Sequence, residues 1–351
     1  MRKEIAPVLS TTVQDKIKQQ LKQNTGQSNW QITDFVRHTR ESILYQAHHP
    51  QYPHTIGIKC FRQQKSVADR YQSMLHYHSQ MNNDESKHRV PQVHGHLEEE
   101  GIIMMEWVRY PTLRRQLWKN VYKQNTQQKH LQQMLLWLQT FHQQSPHSHQ
   151  PIEAQRYVRI LENLLPAYQG YGLLLQQNNL TFRNAMACMH KQAEELQGVE
   201  IPHAYIHHDF SLANVLTDKS NVVGIDFSAK HYLPAAEDIT HMLTTVSMTY
   251  PNMVTKKDMK PHHPLEQWPL VKLFLETYQY PTEPLQIQAL SYLFLHKLMH
   301  HWIWKGATTH GYVPGYGKDR KRNWKRGLQN RWTLYKLEQM TEGVTQTLLK
   351  A

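Results

Sequence analysis

The chain has 351 residues, enough for one large core or two modest ones, and 39% of them are apolar and 10% aromatic, which excludes a disordered polymer. A net charge of +12 favours anionic partners such as nucleotides, phosphorylated glycans, nucleic acid or a membrane surface. Cys60 and Cys188 stand far apart in apolar contexts, which excludes a disulfide framework or a paired-Cys zinc motif, and no run approaches the ~20 apolar residues of a bilayer span, so a cytoplasmic protein is expected.

In chain order, the pattern predicts a polar helix over Val13 to Lys22. Three strand-like runs follow, Trp30 to Val36, Ser42 to Ala47 and Thr55 to Phe61, whose turns suit an antiparallel sheet. Val67, Tyr71, Met74 and Leu75 fall at helical spacing within Ser66 to Gln80, and two more strands are expected at Gln92 to Leu97 and Gly101 to Trp107. Beyond Pro111 the pattern turns helical, with helices expected over His130 to His142, Tyr157 to Leu174 and Asn184 to Leu196. The polar tracts Gln124 to Lys129 and Gln143 to Gln150 read as solvated loops or helix faces. A β interlude over Ala204 to Phe227 precedes further helix, notably Leu285 to Trp304 and Gln329 to Leu349.

The interlude carries the chemistry. Tyr205-Ile206-His207-His208-Asp209 leads to Asn214, five residues after the Asp. Then come a strand at Val215-Leu216, a polar turn, and a second strand from Val222 to Ile225 that ends in Asp226-Phe227. A hairpin here would return Asp226 toward Asn214 and Asp209. Phosphoryl transfer consists mostly of positioning and charge neutralisation, with hard Mg2+ ions bridging phosphate oxygens. Asn214 and Asp226 supply the oxygen ligands such an ion needs, Asp209 suits the group that orients an acceptor hydroxyl and takes its proton, and His207 suits a structural role on the loop backbone. An ordinary hairpin with surface Asp and Asn is the bland alternative.

This stretch resembles the aminoglycoside phosphotransferase/choline kinase family, whose catalytic loop reads His-Gly-Asp, four residues, Asn, and then Ile-Asp-Phe or Ile-Asp-Trp. His207, Asp209, Asn214 and Asp226 match that pattern, and Ser211 sits where eukaryote-type protein kinases usually carry Lys. His208 stands in place of the usual Gly. The resemblance, over roughly residues 30 to 245, implies Asp209 as base and Asn214 plus Asp226 as Mg2+ ligands, with ATP as donor. It also implies Lys59, in Ile56-Gly57-Ile58-Lys59, as the contact to the α- and β-phosphates. The helix after that strand lacks the family's Glu, which leaves Asp69 as the partner for Lys59. Met105-Glu106-Trp107-Val108 matches the linker whose backbone contacts adenine in that fold. Arg37 and Arg40 offer phosphate charge or a solvated turn, and Asp238 anchors the next helix.

The His pairs at 48–49, 262–263 and 300–301 lack the helical spacing of a zinc motif and read as surface or core residues. Cations and aromatics mix in Lys318 to Arg326, either a solvated helix start or a contact for an anionic membrane surface; no specific nucleic acid is expected. The charge balance also points away from a polycationic acceptor and toward an anionic or neutral sugar.

Together these readings predict an α+β, bilobal protein-kinase-like fold. A β-rich N-lobe spans 1–108 and a mainly helical C-lobe spans 109–351. The expected reaction is ATP- and Mg2+-dependent phosphotransfer to a hydroxyl of a small molecule, sugar or glycan. The alternatives are a non-catalytic nucleotide- or glycan-binding relative, kept open by His208 and the missing Glu, and a protein kinase.

Overall fold

The computed structural model describes residues 9–33, 36–38, 42–62, 67–82, 87–146, 148–168, 170–218, 220–250, 264–310 and 324–350. Arg40, His262, His263 and 318–323 of the basic segment lie outside them, as do the side chains of Arg37 and of 324–326.

In chain order the first elements are α1 (Thr11–Thr25), β1 (Gln31–Ile32), β2 (Arg37–His38), β3 (Ser42–His48), β4 (Ile56–Phe61), α2 (Val67–Met81), β5 (His88–Arg89), β6 (Val93–Leu97) and β7 (Ile102–Glu106). Next come α3 (Leu113–Lys119), α4 (Gln124–Gln143), β8 (Ser148–Pro151), α5 (Ala154–Ala167), α6 (Tyr171–Asn178), α7 (Leu180–Leu196) and β9 (Glu200–Tyr205). The hairpin β10 (Val215–Asp218) and β11 (Asn221–Gly224) leads to β12 (Tyr232–Pro234), α8 (Ala236–Thr249), α9 (Pro269–Tyr278), α10 (Pro284–His310) and α11 (Trp324–Leu348). The chain forms two compact units, one of Met1–Gln116 with Ala213–Lys230, the other of Leu117–Leu212 with His231–Ala351.

The first unit is built on an antiparallel sheet ordered β1-β3-β4-β7-β6, with β2 also on β3. Strand alternation sends successive side chains of β4 to opposite faces. Ile56 and Ile58 pack with Tyr45, Ala47, Ile102 and Met104 against Ile17 and Leu21 of α1, which closes the core on that side. Gly57 and Lys59 therefore point to the other face. Ser10 caps α1 by accepting the Val13 N–H, and Gly26 ends it with φ +71, a left-handed conformation that costs glycine little. A second sheet runs β10-β11-β5, with β5 parallel to β11. A two-residue strand such as β5 carries no periodicity, and the sequence reading missed it.

In the second unit α10 is buried along most of its length, among residues including Leu290, Phe294, Leu298, Trp302 and Ala307. An all-round apolar helix marks the centre of a helical core. Its Gly306 makes room for the Tyr171 ring: a Cβ there would lie 1.9 Å from that ring, which would have to move. The helix expected over Tyr157 to Leu174 is in fact two, α5 and α6. Pro166 removes a backbone donor near the end of α5, and Gly170 opens α6 at φ +89, so the periodic pattern ran through a real break. Gln124 to Lys129 opens α4, and its Gln127 is fully buried with its amide donating to the Leu117 carbonyl. Part of the tract Gln143 to Gln150 is a strand, β8, paired with β9, which pairs in turn with β12. The first tract is thus a largely solvated helix face, as one of its two readings had it, whereas β8 is polar and mostly exposed and has no apolar alternation to mark it.

Candidate active site

In the first unit, the β10–β11 hairpin pairs Val215 with Gly224, and the Ile225 N–H extends the ladder to the Asn214 carbonyl at 2.9 Å. Asn214 and Asp226 thus stand at the open end of one hairpin. Asp226 takes a left-handed backbone with φ +64, a conformation Asp tolerates better than most residues. Its carboxylate pairs with Lys59 Nζ of β4. Phe227 is buried against Tyr77 of α2, ring centroids 5.4 Å apart, which pins the residue after the carboxylate.

Asp69 does not meet Lys59. Lys59 is taken by Asp226, while Asp69 pairs with Lys230 at 2.8 Å. Helical spacing puts Asp69 on α2 one strand away from Lys59, but Asp is one methylene shorter than the family's Glu, and another cation supplies its charge. This corrects the expected Lys59–Asp69 pair.

The linker residues divide. The Glu106 carboxylate takes two hydrogen bonds from Arg89, at 2.6 and 2.8 Å. Burial pushes that carboxyl up, yet the Arg89 bonds outweigh it and hold it below its usual range. Met105 sits in the β7 ladder opposite Gly57. Trp107 and Val108, with Gln46, Thr55, Arg109 and Tyr110, line a cavity of about 370 Å³. A Cβ on Gly57 would lie 3.3 Å from Trp107 Cε3, so the glycine admits the indole against β4. The Trp107 N–H is already used, donating to the Thr55 carbonyl at 2.9 Å.

In the second unit, the loop after β9 alternates inward and outward. His207 and Phe210 are buried, His208 and Asp209 exposed. The His207 ring packs among Trp137, Phe141 and Phe210, with centroids 5.4 to 6.1 Å away. Backbone amides, more than the imidazole, hold the loop: the N–H groups of His207 and His208 donate to the Asp238 carboxylate at 2.6 and 3.0 Å. His142 Nε2 lies 3.0 Å from the same carboxylate, and its Nδ1 lies 2.6 Å from the Tyr278 hydroxyl. Burial raises the Asp238 carboxyl, but its hydrogen bonds from His142 and the loop outweigh that and keep it low. His208 has φ +75, which explains why a Gly is usual at this position. Asp209 presents its carboxylate to solvent, with His241 Nε2 3.8 Å from its Oδ1.

Sequence reasoning assigned Asp238 only to its own helix and missed His142 and His241. The adjacent Glu237-Asp238 at the start of an otherwise apolar helix was a usable signal, since buried carboxylates need partners. His142 and His241 gave none.

Among solved structures the chain is similar to a spectinomycin phosphotransferase in complex with ADP and spectinomycin, with a TM-score of 0.53, 14% identity, and coverage of 96% of this chain and 99% of that one. It is also similar to a choline/ethanolamine kinase family protein from Mesorhizobium loti, with a TM-score of 0.51, 9% identity and coverage of 94% and 99%. An amicoumacin kinase in complex with AMP-PNP, Ca2+ and amicoumacin gives a TM-score of 0.51, 13% identity and coverage of 87% and 88%. The fold is therefore that of the kinase-like phosphotransferases, α+β as expected. No curated protein matches by sequence. The model of the phosphotransferase enzyme family matches residues 27–256, so the chain belongs to that family and is a phosphotransferase. No helix among the described residues is long and apolar enough to cross a membrane.

Proposed function

We propose that the protein transfers the γ-phosphate of ATP to a hydroxyl of a small molecule, sugar or glycan, in a Mg2+-dependent reaction. The contact between Lys59 and Asp226, at the hairpin end that also carries Asn214, is the observation that carries this reading. It sets one cation against one oxygen ligand, with a second, Asn214, carried at the same hairpin end, an arrangement that suits a metal–polyphosphate. The donors fit Mg2+. An amide oxygen and a carboxylate are hard ligands, too few for an all-protein cage, and no cluster of three or more His, Cys, Asp or Glu able to hold a metal occurs among the described residues. The nucleotides bound by the spectinomycin phosphotransferase and the amicoumacin kinase support a nucleotide here.

Bound Mg2+–ATP would supply the electrophilic phosphoryl group. Asn214 and Asp226 would hold the ion and Lys59 would neutralise phosphate oxygens. The Trp107–Val108 side of the linker would take the base. Asp209, exposed to solvent, would accept the hydrogen bond of the acceptor hydroxyl and then its proton. The backbone just before it is fixed by Asp238, which accepts the His207 and His208 amides, so the loop presents the Asp209 carboxylate toward solvent. Removing such a base costs about 10²–10⁴-fold in rate. Mg2+-dependent ATP turnover with a hydroxyl acceptor, measured for the full chain and for Asp209→Ala, tests the reading: turnover lost with nucleotide binding kept supports it, and wild-type turnover in the variant overturns it.

A further inference from the structure

We propose that the partly exposed face formed by His241, His301 and Trp304 beside Asp209 is the acceptor subsite, and that it takes an uncharged polyhydroxylated molecule, a neutral sugar or the neutral end of a glycan. The proposal rests on Asp209 being the base that meets the acceptor, and it concerns what lies next to that carboxylate.

Three links make the face continuous. His241 stands on α8 one turn after Asp238, with Nε2 3.8 Å from Asp209 Oδ1. Its ring lies 5.5 Å from that of His301 on α10. On the same helix Trp304 follows His301 by three residues, the spacing that puts side chains on one stripe, and Trp304 is 39% exposed. His300, 6.2 Å from His301 ring to ring, borders the stripe.

Apart from the Asp209 carboxylate and Lys305, whose charge helps to lower His301, the side chains named on this face are uncharged. Glu237 is turned inward and paired with Lys297, so that cation and anion cancel. Asp238 is fully buried and spent on His142 and the loop amides. Burial pushes the His241 imidazole down to about 4 and also lowers His300 and His301, so the rings stay uncharged at neutral pH. Neutral imidazole offers one donor and one acceptor, which matches a hydroxyl that is both. The indole adds a flat apolar surface, suited to the C–H face of a sugar ring, with a polar N–H at its edge. A polycation would find Asp209 but neither carboxylate of α8 to replace its lost hydration, because Glu237 and Asp238 are buried and paired. A metal-binding reading of the histidines is disfavoured, since the described residues hold no cluster of three or more metal-ligating groups.

The test uses the full chain with Mg2+–ATP and matched acceptors that differ in charge: N-acetylglucosamine against glucosamine, and neutral methyl glycosides against their amino-sugar counterparts. Binding is measured by calorimetry and product by mass spectrometry. The neutral member of a pair is expected to bind more tightly. Trp304→Ala is expected to weaken it about tenfold, with most of the affinity kept by Trp304→Phe, and His301→Ala is expected to weaken it as well. Tighter binding of the ammonium member, absence of binding by every neutral member, or a Trp304→Ala variant that binds like wild type would each overturn the subsite. Binding of the neutral member without transfer to it upholds the subsite and counts instead against the phosphotransfer reading.

Discussion

The Asp238 carboxylate accepts the backbone N–H of His207 at 2.6 Å, so a helix that begins 27 residues after Asp209 hangs the loop that presents it. A carboxylate side chain buried to 1% exposure survives there because three donors converge on it. Asp238→Ala leaves two loop amides and His142 facing a void. Breaking a buried charged network of this kind costs about 3–5 kcal/mol. The expected result is a fall in Tm of roughly 4–7 °C, read by circular dichroism, with Asp238→Asn intermediate because one acceptor oxygen remains.

Lys59 and Asp69 separate in the same way. Lys59→Met removes the only charge paired with Asp226 in the described contacts, and a loss of about 10²-fold or more in kcat/KM for ATP is expected. Asp69→Ala breaks a pair whose acid is 68% exposed, and exposed pairs contribute about 0–1 kcal/mol, so kcat/KM should stay within about threefold. Steady-state kinetics on both variants decide it: equal losses would mean that Asp69 acts on Lys59 after all.

The legible parts of this molecule were local ones. The order of strands and helices, the α+β class and the hairpin after Asp209 follow from periodicities of two and 3.6 and from turn residues, which act over a few positions. The pairing of Lys59 with Asp226 spans 167 residues and depends on which face of β4 the sheet exposes. That choice is made by α1 covering Ile56 and Ile58, and no motif states it. His241 reaches Asp209 through the rotation of α8, whose pattern shows only that Ile239, Leu243 and Val246 are apolar. Asp69 failed for the same reason: a helical register was readable, but the reach of one side chain to one of two cations was not.

His208 invites a test of backbone strain. At φ +75 a side chain costs about 1–2 kcal/mol relative to an ordinary conformation, less for His than for a β-branched residue. His208→Gly should therefore fold at least as well as wild type within about 1 kcal/mol and keep turnover. His208→Val should lose about 1–3 kcal/mol and disturb the amide pair donated to Asp238. Denaturant unfolding beside initial rates separates the two; a valine variant as stable and active as glycine would show that the loop does not need this conformation.

The histidines of α8 and α10 set a pH dependence. Burial lowers His241 to about 4 and His296 to about 3, and lowers His300 and His301 too. Neither ring nitrogen of His296 has a hydrogen-bond partner among the described residues, so a proton there would be unsolvated. Each folded-state value lies below the unfolded value of about 6.5, so the unfolded chain binds more protons in between. Their contribution to stability is whole above about pH 6.5 and declines as pH falls toward the folded values, by up to about 1.4 kcal/mol per pH unit for each histidine. Carboxylates would begin to act only near their own range, around pH 4. Thermal melts between pH 7.5 and 4.5 should therefore show Tm falling from about pH 6.5 downward, and His296→Leu should flatten that slope while leaving the Asp238 network intact. A Tm constant from pH 6.5 to 5 would mean that these rings are charged or solvated in the folded protein.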